Sequence, residues 1–259
     1  MALGSEPAYA APPMAAADPA PSLTRHALIP ISVVLCFALV YVWRVEIWWI
    51  AAVGLPAIAL YLAAPRLGRA SMARFDRDAL RLLAADREGE LPARYARAVW
   101  MRLFAPPAAV AARRGLVAAE TGEAYRARAA YRDAIAAYPE DRAPVAARLG
   151  YAHACYQSGD DAEAIRAYRE ILKRDGTFPS LERRLAASLA REGVDLDDAE
   201  RLADAAHEQS PDDEAKLVRA LVLAARGRRG PARKLLKQAR DAEELEALRE
   251  EVETMLEEI

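Results

Sequence analysis

The chain has 259 residues, is 54% hydrophobic, 29% charged and 7% aromatic, and carries a formal net charge of −2. Much of the apolar content is Ala, which favours helix and buries little area per residue. This balance supplies no basic field for nucleic acid, two Cys exclude a multi-bridge scaffold or a four-Cys zinc site, and neither an all-β domain nor a disordered acidic chain fits. Arg far outnumbers Lys, of which there are four, and with the abundant Ala this suggests a GC-rich genome.

Residues 1–24 are Ala- and Pro-rich with no helical or strand period, which predicts a disordered tail. An uncharged run at 27–43 and another at 47–64 follow, separated by Arg44, Val45 and Glu46. Each spans roughly 25 Å as a helix, against a ~30 Å hydrocarbon core. Tyr41, Trp43, Trp48 and Trp49 surround the break, where amphipathic rings suit a headgroup boundary and Arg44 can snorkel. The expectation is a two-helix transmembrane hairpin over 25–65. A re-entrant hairpin or two buried core helices are the alternatives left by the shortness of the runs. Arg66, Arg69, Arg74, Arg77 and Arg81 follow closely, so the positive-inside rule places both termini in the cytoplasm, with the hairpin in a bacterial inner membrane. Arg66 and Arg69 then sit at the membrane interface, where these arginines also suit anionic lipid headgroups.

From residue 66 onward, Gly and Pro punctuate amphipathic stretches of about a dozen residues. Gly89, Gly122, Gly159, Gly193 and Gly227 are spaced 33, 37, 34 and 34 residues apart. Pro106, Pro139 and Pro211 form a second ladder. Seven residues before the last four Gly stand Gly115, Ala152, Ala186 and Ala220. After each Gly comes Ala127, Ala164, Ala199 or Ala232, followed one turn later by Tyr131, Tyr168, Ala203 or Leu236. Two helices approach closely only where both side chains are small, and a larger residue one turn along fills the wedge between them. Gly permits a left-handed exit from the first helix, and Pro stops the second.

This arrangement resembles the tetratricopeptide repeat family, most clearly over 145–178 with its stretch CYQSGDDAEAIRAYREIL. The resemblance implies an all-α solenoid: four helix-turn-helix repeats over 108–242, preceded by juxtamembrane helices and a divergent capping pair over 66–107. The segment 243–259 reads as an acidic amphipathic helix that covers the last repeat or serves in docking or dimerisation. No catalytic, metal or cofactor motif stands out, so the expected class is a non-enzymatic, membrane-anchored scaffold that binds a partner protein in the repeat groove. The alternative is an assembly or regulatory subunit of a membrane complex, with the hairpin making the specific contacts. His153, Tyr156 and Gln157 share one helical face and are candidate partner-binding residues, as are Arg183, Arg184 and Arg191, which suit an acidic peptide. The chain has no Asn, so the carboxylate clamp of Lys and Asn used by some family members is absent in its usual form.

Overall fold

The computed structural model describes residues 47–138, 142–176, 179–239 and 245–258, together with the single positions 30, 31, 34 and 38. Among these the regular structure is helical, without a strand. The chain divides into two compact units, Met1–Ala147 and Arg148–Ile259.

In the first unit, α1 runs unbroken over Ile47–Leu83. The sequence reading ends a membrane arm at Ala64, but the helix continues because a new apolar face begins there. Ala64, Gly68, Phe75 and Ala79 recur at helical spacing and are buried, while Arg66, Arg69, Arg74, Arg77 and Arg81 are exposed. The arginines read as topology signals are therefore the solvated side of an amphipathic helix. No helix among the described residues is long and apolar enough to cross a membrane, which overturns the two-pass inner-membrane assignment. The tail 1–24, Tyr41, Trp43 and Arg44 lie outside the described residues, as do the side chains of Trp48 and Trp49.

A 3₁₀ turn at Glu88–Glu90 leads into two short helices, α2 (Leu91–Arg97) and α3 (Val99–Phe104). These pack on the C-terminal half of α1 around Phe75, Leu91, Met101 and Ala105. Phe75 and Tyr95 meet edge to face, with ring centroids 5.9 Å apart. Gly68 allows the close crossing, because a Cβ there would lie 2.9 Å from the Phe104 carbonyl. Gly89 does not end a helix as expected. The chain leaves α1 earlier, and Asp86 takes the left-handed conformation at φ +51°. Instead of one regular helix pair over this stretch, α1 is faced by two short helices, since Arg94 is drawn outward to Asp78 at 2.6 Å and Leu82 joins the rim of the core. The unit closes with α4 (Pro107–Glu120) and α5 (Ala124–Ala136), a tightly paired hairpin tied back to α1 by the bidentate Arg113–Asp76 pair at 2.6 and 2.8 Å.

Among its described residues, the second unit has three helical hairpins and a last helix: α6 (Val145–Gln157) with α7 (Asp161–Asp175), α8 (Pro179–Glu192) with α9 (Leu196–Gln209), α10 (Asp213–Ala225) with α11 (Arg229–Gln238), then α12 (Glu246–Glu258). The unit boundary falls in the first turn of α6. Gly159, Gly193 and Gly227 make the left-handed exits from α6, α8 and α10, with φ of +74°, +65° and +72°. Ala152, Ala164, Ala186, Ala199, Ala220 and Ala232 are all fully buried, as the small-residue ladder requires. Tyr168 fills the wedge in the first hairpin, and Arg148 bonds Asp175 at 2.8 Å to join the open ends of α6 and α7. Successive hairpins stack: α7 meets α8, α9 meets α10, and the first helices α8 and α10 also touch. The last helix departs from this pattern. It rests on α10 and meets α11 only at its edge.

Candidate functional site

Helices α8 and α10 lie side by side, α8 reaches α6 through Arg191 and Tyr156, and His153, Tyr156 and Arg191 converge near the C-terminal ends of α6 and α8. His153 and Tyr156 are three residues apart on α6, so their rings stack at 6.3 Å with 10° between planes. The Arg191 guanidinium of α8 lies 4.6 Å over the Tyr156 ring and donates to its hydroxyl at 3.3 Å. Arg191 also makes a bidentate pair with Glu251 of α12 at 2.6 and 2.8 Å and lies 3.5 Å from Asp161. Ser188 donates to Asp161 at 2.5 Å, which fixes the carboxylate at the start of α7. The partners around Arg191 raise its already high pKa, since carboxylates and the Tyr156 ring outweigh the penalty of burial. The Tyr156 phenol is also raised, mainly by burial.

Arg184 lies two turns before Arg191 on α8 and is half-buried. Among the described residues no carboxylate bonds to it, yet its charge acts on His153, Tyr156 and Tyr168. Two polar atoms in this neighbourhood, Nδ1 of His153 and the hydroxyl of Tyr168, are buried without a hydrogen-bond partner. Burial, reinforced by Arg184, pushes the His153 pKa down to about 3, so the imidazole is neutral near pH 7. Burial raises the Tyr168 phenol as well. Arg184 and Arg191 are matched in number by Glu251 and Asp161, and both of these carboxylates lie against Arg191.

Two expected residues behave differently. Arg183 is buried and turned away, its guanidinium 2.9 Å from Asp212 and 2.8 Å from Glu214, where it staples α8 to the start of α10. Successive residues on a helix point about 100° apart, so Arg183 and Arg184 cannot serve the same face. Gln157 is exposed at the end of α6. The turn residues act as caps: Asp160 accepts from the Glu163 backbone N–H at 3.2 Å, and Glu163 accepts from the Tyr151 hydroxyl at 3.1 Å.

Sequence reasoning missed Glu251 as a member of the site. The signal available was its place on the acidic helix beside Val252, but nothing in its spacing pointed sixty residues back to Arg191. Among the described residues no cluster of His, Cys, Asp and Glu could hold a metal ion.

No curated protein matches the chain. Among solved structures, the crystal structure of YrrB, described as a TPR protein with an unusual peptide-binding site, aligns at 18% identity and a TM-score of 0.49, covering 70% of this chain and 90% of that one. The tetratricopeptide repeat family model matches residues 145–188, which span α6, α7 and most of α8. This stretch is thus similar to the tetratricopeptide repeat, in agreement with the hairpins and buried small-residue ladder observed there.

Proposed function

We propose that the second unit is a non-catalytic protein-interaction scaffold that holds a segment of a partner on the face formed by α6, α8 and α10. One observation carries this reading: that face already holds a helix. α12 lies on α10 and presents Glu251 to Arg191 beside Tyr156, so the surface supports both apolar docking and carboxylate capture. Tyr156, Gln157, Arg184 and Arg191 are the residues assigned to partner contact. His153 buttresses Tyr156 from below, and Arg183 serves the stack.

The reading is tested by placing a photo-crosslinking residue at Gln157 or Arg184 of the full chain, with Glu208 on the exposed side of α9 as control. A defined protein captured from both face positions and absent at position 208 is the expected result. Equal capture at all three positions would remove the scaffold assignment.

A further inference from the structure

The helix that covers this face identifies the chemistry of what the face accepts. Among the described residues, α12 leaves the alternating stack that α7 to α11 form. A helix continuing the repeats would lie against both α10 and α11, as α10 lies against α8 and α9. α12 instead meets α11 only at its edge and reaches α8 through Glu251. It is held by Val252 and Leu256, one turn apart and buried, by the Arg191–Glu251 pair, and by Arg249, which donates to the Ala239 carbonyl at 2.8 Å. Its outer side carries Glu250, Glu253 and Glu257, all exposed. The docked motif is therefore an apolar i, i+4 pair with a carboxylate beside it, on a helix otherwise acidic.

We infer that the partner segment is an acidic amphipathic helix of this same pattern, and that it binds by taking the place of α12. The inference rests on the scaffold reading and adds the partner's chemistry and the competitor it must displace. Charge complementarity favours such a partner. With α12 in place, Arg184 still has no carboxylate bonded to it among the described residues, and its charge reaches Tyr156 on the same face. A face that keeps an uncompensated guanidinium while occupied retains attraction for further negative charge. The only ion pair between described residues that joins α12 to the repeats is Arg191–Glu251, so an outside helix with acids placed for both Arg184 and Arg191 can compete. Intramolecular tethering sets the threshold such a partner must exceed.

The test uses the full-length chain and a fluorescently labelled peptide with the sequence of residues 243–259. Glu251→Arg in the chain places a cation against Arg191 and weakens the hold of α12. The peptide should bind this variant at least tenfold more tightly than it binds the unaltered chain. Adding Arg191→Ala to the variant should abolish that gain, and Arg184→Glu should weaken binding severalfold through the field alone. Peptides carrying Glu251→Lys or Val252→Asp should not bind. A chain ending at residue 242 provides a second host, with circular dichroism to verify its fold. Equal peptide binding to the unaltered and Glu251→Arg chains, or indifference to Arg191→Ala, overturns the inference. So does concentration-dependent dimerisation of Glu251→Arg that the peptide cannot reverse, which would make a second copy the occupant. If the peptide series fails while the crosslinks at 157 and 184 persist, the scaffold stands and the acidic helix falls. Loss of both removes the two together.

Discussion

At residue scale, the positions that matter most are those where an atom more or a proton more cannot be accommodated. Gly115 on α4 is one: a Cβ there would lie 2.9 Å from the Tyr131 ring of α5. Ala is intrinsically better than Gly in a helix by about 1 kcal/mol, while overpacking costs about 1–3 kcal/mol. Gly115→Ala is therefore expected to lower stability on balance, and pairing it with Tyr131→Leu should recover most of the loss in denaturant titrations. His153 is the second case. Its folded pKa of about 3 lies below the ordinary 6.5, so the unfolded chain binds the proton more readily. The contribution to stability is complete above the unfolded value and is lost as pH falls from about 6.5 toward the folded value, at up to about 1.4 kcal/mol per pH unit. Melting temperature should decline over that acid range in the parent chain, and His153→Phe should flatten the decline. A parallel decline in both would assign it to other groups.

At element scale, the helical hairpin is the unit of stability, and its requirement is close backbone approach. Ala164 is fully enclosed between α6, α7 and their neighbours, so Ala164→Arg must push helices apart or bury a charge. A loss of at least about 1–3 kcal/mol is expected, seen as a fall of several degrees in melting temperature; an unchanged melt would contradict the hairpin packing. The staple from α8 to α10 gives a second test. Arg183 is 8% exposed, but its partners Asp212 and Glu214 are more than 40% exposed and solvent screens them. Arg183→Ala should cost about 1–2 kcal/mol, below the 3–5 kcal/mol typical of breaking a wholly buried pair. The contrast with Arg184 follows from the helix period: one residue along, the side chain turns about 100° away from that staple and is half-buried with no carboxylate bonded to it among the described residues, so Arg184→Ala should cost less than Arg183→Ala.

At the scale of the whole molecule, the repeat architecture was legible in the chain because it rests on local, periodic requirements. Gly at the left-handed exits and Ala at the contact lines are dictated by sterics that operate within about forty residues, and Gly159, Gly193 and Gly227 adopt the expected positive φ. Where a pattern admitted two environments, the sequence alone misled. The apolar run from 47 and the arginines after it fit a membrane arm with a basic flank as well as an amphipathic helix, because hydropathy does not state what a surface is buried against. Packing of Phe75 and Ala79 against Leu91 and Met101 resolves the ambiguity for the half of α1 that joins the core. Gly89 likewise kept the phase of the ladder without serving it, since α1 ends at Leu83 and Asp86 turns the chain. The candidate site divides in the same way. That Tyr156 shares a helical face with His153, and Arg184 one with Arg191, follows from helical spacing, whereas the meeting of Arg191 with Tyr156 across two helices was decided by the fold. That Glu251 completes this face was decided only by the fold, because an ion pair between residues sixty apart has no periodicity to announce it and depends on where the last helix comes to rest.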